Sequence, residues 1–283
     1  MATLLRPHIV LILLSILFSG PVVYGQDEDN PIGLFMGFGQ QRQAKQEAKT
    51  LARAIETNAE GVSAEDMIAL GRTYVFAYFG DRGMPDPPCD MLLKSDTNPQ
   101  AALKSVLIAD ELMKAINEYK PPAGVPDAVQ KKEQARERAS LFYRKALQSE
   151  HAAVVYRALQ SIARHNVELE EPDFASLFAP LFDRDSGLVR YQLAQTAVAL
   201  RSRYAGNADL AKALEEALLP AMIKALAREK LRYVQLKLIE AVDAFMPADK
   251  KFGWQSAQLN EAKLKDTIQK VVAWGRRKGY LQG

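Results

Sequence analysis

The sequence predicts an all-α protein, and three observations support this fold class. From residue 41 onwards, apolar residues recur every three or four positions rather than at alternate positions, which is the period of an α-helix. Proline and glycine are concentrated in short segments between these periodic stretches, where helices end. The second half of the chain also repeats its own outline at an interval of roughly 40 residues, which is typical of stacked helical units.

The N-terminus has the layout of a secretory signal peptide. Arg6 precedes an apolar run from Ile9 to Phe18, and a Gly-Pro pair separates this run from smaller residues. We predict that residues 1–25 are a signal peptide cleaved after Gly25, and that the protein is secreted or periplasmic. The apolar run is about half of the roughly 20 residues that cross a bilayer, so no stable membrane span is expected after cleavage. An uncleaved anchor is the alternative.

The composition limits the classes of partner. Of 283 residues, 258 stay after removal of the first 25, and the formal charge of +3 falls to about +2 without Arg6. A charge this small argues against a nucleic-acid partner. Cys89 is the single cysteine, so the chain has no disulfide framework. Its thiol is either buried or available for an intermolecular bond.

Residues 26–40 are predicted to form a flexible linker. They start acidic, become rich in glycine and phenylalanine, and show no helical period. In the alternative interpretation, their apolar cluster docks on a partner or on the surface of the protein itself. The cluster consists of Leu34, Phe35, Met36 and Phe38.

Residues 41–127 are predicted to form an N-terminal helical region. One helix ends at Gly61, and the next begins with Ser63 as its N-cap. Loop 80–100 follows, in which Pro85, Pro87 and Pro88 forbid a regular helix and four aspartates are either solvated or part of a ligand or cation site. A helix from about Pro99 to Tyr119 closes the region, before a proline-rich boundary.

Two stretches in the second half share one outline. Residues 178–200 and 218–245 each contain an apolar helix with a proline, then a short charged turn, then a second apolar helix. A branched residue and an arginine open the second helix, as Val189-Arg190 and as Leu231-Arg232. An earlier copy has Arg157 at this place and lacks the proline.

This outline, over about residues 130–246, resembles HEAT repeats. The resemblance implies antiparallel helix pairs stacked as a short α-solenoid over residues 128–283. Each pair would bury one apolar stripe within its repeat and one against its neighbours. The last predicted helix, from Leu259 to Lys278, is the expected C-terminal cap, because its second side is rich in lysine.

Segment 183–187 carries two aspartates and a glycine, like the start of a calcium loop. An EF-hand loop needs glycine at its sixth position and an acid at its twelfth. Counted from Asp183, the glycine is fifth and the twelfth residue is an alanine. We therefore predict a turn between helices, in which Asp185 or Ser186 caps the next helix and Arg190 pairs back to one of the two aspartates.

No catalytic residue, cofactor site or metal site is predicted. His151 and His165 lie fourteen residues apart, and no zinc, phosphate-loop or nucleophile motif occurs. The candidate partner surface contains arginines and tyrosines near the starts of second helices, a composition that protein interfaces favour. Alternatively, these arginines bond to carbonyls and acids of adjacent turns. The candidate residues are Arg157, Arg190, Tyr191, Arg232 and Tyr233.

Together these features predict an exported, non-catalytic scaffold that binds another protein, although an inference from fold to function is analogy. The alternative is a hydrolase of an envelope polymer on a helical scaffold, with its site near loop 80–100. Two carboxylates that cooperate in such an enzyme need only meet in space, so sequence spacing leaves this alternative open.

Overall fold

The computed structural model describes residues 99–118, 120, 126–165, 167–258 and 260–281. Every regular element in these residues is helical and no strand occurs among them, which confirms the all-α prediction. The predicted signal peptide, linker 26–40, the helices before residue 80 and Cys89 lie outside the described residues. Loop 80–100 also lies outside them, except for its last two residues, which begin the first helix.

Nine α-helices span the described residues, and two of them are short turns. They are α1 (Pro99–Glu118), α2 (Pro126–Leu147), α3 (Ala152–Arg164), α4 (Glu171–Asp173), α5 (Gly187–Arg203), α6 (Ala208–Arg228), α7 (Arg232–Phe245), α8 (Trp254–Ala257) and α9 (Glu261–Arg277). Helix α4 continues directly into a π-helix, Phe174–Phe178, and a 3₁₀-helix, Ala179–Asp183. We call residues 171–183 the α4 segment. Two further 3₁₀ turns are Tyr204–Gly206 and Ala248–Lys250.

Side-chain caps explain where three of these helices begin. Ser186, Asn207 and Asn260 each precede a helix, and the side-chain oxygen of each accepts a hydrogen bond from the amide three residues later. Such caps satisfy amides that have no partner within the helix. The sequence left Asp185 and Ser186 as alternatives for α5; the cap is Ser186, and Asp185 is exposed.

Pro220 lies inside α6, which runs unbroken from Ala208 to Arg228. Pro220 therefore does not begin a new helix. Proline has no amide hydrogen, so the carbonyl of Glu216 loses its partner within the helix. Glu216 is exposed, and water can hydrate that carbonyl.

The α4 segment differs from the regular apolar helix that the repeat outline predicts. Pro180 falls in its 3₁₀ part, and a proline clashes with the carbonyl four residues earlier in a regular α-helix. The apolar side chains are nevertheless buried, namely Phe174, Phe178, Leu181 and Phe182. Burial of these side chains, rather than regular helical hydrogen bonding, therefore sets the path of the chain here.

The helices contact one another in two rows. In one row, α3 contacts α1, α5 contacts α3, and α7 contacts α5; in the other, α6 contacts the α4 segment and α9. Helix α1, assigned to the N-terminal region by its sequence, packs on both α2 and α3. The predicted boundary after residue 127 falls in the first turn of α2, and the division into two domains stays a prediction.

The apolar stripes predicted for α5 and α6 form the centre of the core. On α5, Val189, Leu193 and Leu200 have no exposed surface, and on α6 the same holds for Leu214 and Leu218. Complete burial of one such side chain contributes about 1.5–3 kcal/mol. The helical period in the sequence therefore identified the faces that hold the two rows together.

Replacing Gly275 by alanine should lower the free energy of unfolding by about 1–3 kcal/mol, the usual cost of overpacking. Gly275 lies on α9 against α6, and a Cβ there would be 2.5 Å from Cγ2 of Ile223, which is fully buried. Urea denaturation of both proteins measures the change. Ile223→Leu removes the Cγ2 branch, so the double variant should regain part of the loss. A Gly275→Ala variant as stable as the original would contradict this close packing.

Candidate partner-binding surface

An aromatic and aliphatic cluster forms where the first turns of α5 and α7 meet. The rings of Tyr191 and Tyr233 lie 5.9 Å apart between centroids. The side chains of Leu231 and Tyr233 lie over Gly187: a Cβ at that glycine would overlap Leu231 Cδ1 and sit 2.7 Å from the Tyr233 hydroxyl oxygen. The structure thus brings together residues that are about 40 positions apart in the repeat outline.

Much of this cluster is open to solvent. Leu188, Leu231 and Tyr233 expose 61%, 41% and 44% of their surfaces. Three of the five large apolar side chains that are exposed in the described residues therefore lie at this one junction. Grouped exposed apolar side chains mark interaction sites more often than scattered ones do. We define the α5/α7 patch as Leu188, Tyr191, Leu231 and Tyr233.

Sequence reasoning named the two tyrosines of the patch but missed Leu188 and Leu231. A signal for Leu188 was present, because it lies off the apolar stripe of α5 that starts at Val189. Leu231 was interpreted only as the branched residue that opens α7. Its exposure depends on how α5 and α7 approach each other, and no local pattern encodes that.

Arg190 lies beside the patch, and its charge is paired within the protein. Its Nε donates to Oε2 of Glu229 at 2.6 Å, and its Nη1 donates to the carbonyl of Arg184. The prediction that Arg190 pairs back to Asp183 or Asp185 is therefore wrong. Asp183 instead pairs with Arg228, the last residue of α6. The alternative, in which the arginines bond to carbonyls and acids of adjacent turns, is the observed arrangement for Arg190.

Glu229 links this arginine to the turn that carries Leu231. Its Oε1 accepts hydrogen bonds from the amides of Lys230 and Leu231 at 2.9 and 3.0 Å. Burial alone would raise the pKa of Glu229, but the hydrogen bonds from Arg190 and from the two amides outweigh it, and the pKa lies below its ordinary value. The carboxylate is therefore held in its charged form.

Glu229→Gln should make stability less dependent on pH in the acid range. Because the folded-state pKa is lowered, the contribution of this carboxylate is present above the unfolded value of about 4.3 and is lost as the pH falls through the folded value. Urea denaturation at pH 7, 5, 4 and 3 should show a flatter profile in the variant, and a loss of about 1–3 kcal/mol at pH 7. Glu216→Gln, at an exposed position on α6, is the matched control. Equal slopes in the two variants would contradict this role.

Cations surround the patch. Lys237 Nζ lies 5.4 Å from the centre of the Tyr191 ring and pairs with Glu240 at 2.6 Å. The side chains of Lys230 and Arg232 flank Leu231, are exposed, and form no hydrogen bond or ion pair within the described part of the chain. Arg232 is therefore the arginine among the predicted surface residues that leaves its charge to solvent.

Arg157 lies in a separate cluster. Its Nη2 is 2.5 Å from Oδ2 of Asp110 on α1, and the Tyr143 hydroxyl on α2 donates to the other carboxylate oxygen at 2.9 Å. Burial, and then the charge of Asp110, raise the pKa of Tyr143 well above its ordinary value, so the phenol stays a neutral donor. The structure thus uses Arg157 to join three helices, and the patch forms without it.

Within the described ranges, no three His, Cys, Asp or Glu side chains are grouped in a way that could hold a metal ion. The helices of these ranges include none with the length and apolar character needed to cross a membrane. Because the chain has one cysteine, it forms no internal disulfide. The alternative enzymatic site at loop 80–100 lies outside the described residues.

No protein-family model, curated protein or solved structure matches this chain.

Proposed function

We propose that this protein is an exported, non-catalytic scaffold that binds another protein through the α5/α7 patch. The observation that carries the proposal is the joint exposure of Leu188, Leu231 and Tyr233 beside Tyr191. Apolar area contributes about 25 cal/mol per Å² when a partner removes it from water. Tyrosine and arginine are also the side chains that most often dominate binding energy at interfaces.

The rigidity of its support favours a binding role for the patch. The Arg190–Glu229 pair and the two amide hydrogen bonds to Glu229 hold the turn that carries Leu231. The contact between the Tyr191 and Tyr233 rings also restrains Tyr233. A surface that is ordered before binding loses less conformational entropy when the partner arrives.

A HEAT-like solenoid is the architecture that we propose for this scaffold. It is supported by the contact order, in which α3, α5 and α7 follow one another in one row and the α4 segment, α6 and α9 follow in the other. In such an arrangement each repeat contacts its neighbours, and a terminal helix covers the last one. Helix α9 fits that position, since Leu264 and Val271 are buried while its lysines are exposed.

Export rests on the N-terminal sequence. Mass spectrometry of the protein recovered from the secreted or periplasmic fraction of its own cells should find a chain that begins at Gln26. A chain that retains residues 1–25 in a membrane fraction would instead support the uncleaved anchor.

Affinity capture tests the binding function. The protein comprising residues 26–283 should retain a partner from the secreted or periplasmic fraction, and Leu231→Ser with Tyr233→Ser should reduce the amount about tenfold or more, as at other interface hot spots. The matched control is Val129→Ser with Leu141→Ser, because these α2 side chains are exposed to 56% and 45% and lie outside the patch. Equal losses in the two double variants, or no captured protein, would count against the proposal.

A further inference from the structure

The chemistry of the α5/α7 patch defines the kind of peptide that fits it. Its apolar part consists of Leu188, Leu231 and Tyr233, and the cations Lys230 and Arg232 lie on either side of Leu231 in the sequence. A complementary segment therefore needs large apolar side chains and, next to them, carboxylates.

The charge balance around the patch is also positive after internal pairing. Arg190, Arg228 and Lys237 each pair with a carboxylate within the same region. Arg184 donates only to the carbonyl of Ser149, and the charges of Lys230 and Arg232 are unpaired among the described residues. The one exposed acid in the adjoining turn without such a pair is Asp185. The two unpaired cations beside Leu231 therefore outnumber the one unpaired carboxylate of the adjoining turn, which favours an acidic ligand.

The chain itself contains a segment with this chemistry. Residues 27–29 are Asp-Glu-Asp, and Leu34, Phe35, Met36 and Phe38 follow within nine positions. This segment thus offers three carboxylates close to four large apolar side chains.

We propose that residues 27–38 bind the α5/α7 patch of the same chain. Their apolar side chains cover Leu188, Leu231 and Tyr233, and their carboxylates lie beside Lys230 and Arg232. The inference rests on the proposed function, because both use the patch, and it identifies the class of external partner. A protein that displaces residues 27–38 must itself present an acidic segment next to large apolar side chains.

Chain length permits this contact. Sixty residues separate Phe38 from Pro99, where α1 begins. Even at the helical rise of 1.5 Å per residue they would span about 90 Å, about twice the diameter expected of a compact body of this size. A tethered segment also meets the patch without a second molecule, so binding within one chain is favoured over binding to a second copy in dilute protein.

Photocrosslinking in the full mature chain tests where the segment lies. The variant Phe35→p-benzoylphenylalanine should crosslink within one chain, to peptides from cleavage after glutamate that contain Leu188 or Leu231–Tyr233. Crosslinks that map elsewhere would overturn the proposal. Crosslinks that join two chains at micromolar protein would also overturn it, because they identify a second copy as the occupant.

Charge exchange tests the ionic part of the contact. Lys230→Glu with Arg232→Glu should lower the crosslink yield about three- to tenfold, and Asp27→Lys, Glu28→Lys and Asp29→Lys together should do the same. Combining all five substitutions should restore the yield, since the charges are again complementary. Circular dichroism confirms that the exposed substitutions leave the fold intact. Failure of the combined variant to recover would overturn the assignment of the acids to these cations.

One further variant separates this inference from the proposed function. Leu34→Ser with Phe35→Ser should uncover the patch and increase partner capture about three- to tenfold, because the competing segment is lost. If capture depends on Leu231 and Tyr233 but does not change in this variant, the proposed function stands and the inference fails. If crosslinking succeeds and the uncovered patch captures nothing, the inference stands and the proposed function fails.

Discussion

Replacing Asp110 by alanine is expected to lower the free energy of unfolding by about 3–5 kcal/mol. Asp110 is 7% exposed and accepts hydrogen bonds from Arg157 at 2.5 Å and from Tyr143 at 2.9 Å. Its removal leaves a guanidinium group and a buried phenol without their acceptor, while Arg157 keeps only its bond to Gln160. Arg157 is partly buried, and leaving a charge of this kind unpaired costs more than the pair contributes.

The Asp110 carboxylate joins three helices. Its loss should therefore destabilise α1, the helix that carries it, more than the other two. Asp110 lies on α1, Tyr143 on α2 and Arg157 on α3. Urea denaturation measures the total loss, and hydrogen exchange should show the largest fall in protection on α1. The control is Asp266→Ala, whose exposed pair with Lys270 at 2.7 Å should contribute no more than about 0.5 kcal/mol.

A compensated variant separates the unpaired groups from the lost bonds. Asp110→Leu, Arg157→Met and Tyr143→Phe together remove the hydrogen-bonded carboxylate, guanidinium and phenol, and fill their space with apolar groups. This triple variant should be more stable than Asp110→Ala alone, because no buried polar group is left without a partner. If the triple variant were less stable than Asp110→Ala, the loss of stability would come from the missing ion pair itself and not from the groups left unpaired.

Replacing Asp243 by alanine is the second large expected effect, a loss of about 2–4 kcal/mol. Asp243 is 2% exposed, near the end of α7. Its two carboxylate oxygens accept the amides of Phe252, Gly253 and Trp254 at 2.6, 3.0 and 2.9 Å. Hydrogen bonds to a charged acceptor are the stronger class, and three of them converge here.

These bonds position the chain that leads into α8 and α9. Gly253 takes φ = 85°, a left-handed conformation that favours glycine, and it directly precedes α8. The Phe252 ring contacts the Trp274 ring, with centroids 5.7 Å apart. Without the Asp243 carboxylate, the loop has no acceptor to hold this path, and the contact between the two rings should loosen.

Tryptophan fluorescence and urea denaturation measure the effect of Asp243→Ala. The chain has two tryptophans, Trp254 and Trp274, and both lie in this region, so the emission maximum should shift to longer wavelength. Asp243→Asn keeps one carbonyl acceptor and should lose less than the alanine variant. Asp249→Ala, at an exposed position of the same connection, is the control. A control as damaging as Asp243→Ala would refute a specific role for the buried carboxylate.

The sequence by itself determined the helical class of the described residues and several of their helix borders. The helix predicted from about Pro99 to Tyr119 spans Pro99–Glu118, α5 begins directly after Ser186, one of the two predicted caps, and α7 begins at Arg232, where the repeat outline opens a second helix. These features depend on hydrogen bonds and apolar contacts between residues three or four positions apart, so a local period encodes them. The irregular path of the α4 segment was missed because a proline and a buried aromatic cluster compete there with the helical period.

Only the tertiary structure decided which charged groups pair and which apolar groups stay exposed. Arg190 meets Glu229 across 39 positions, and Arg157 meets Asp110 across 47. Such pairs depend on the rotation and distance of helices that pack through other side chains. The spacing of residues along one helix does not predict these two quantities. The same packing leaves Leu188 and Leu231 exposed between α5 and α7, so the patch emerges from the contact between two helices and from neither one alone.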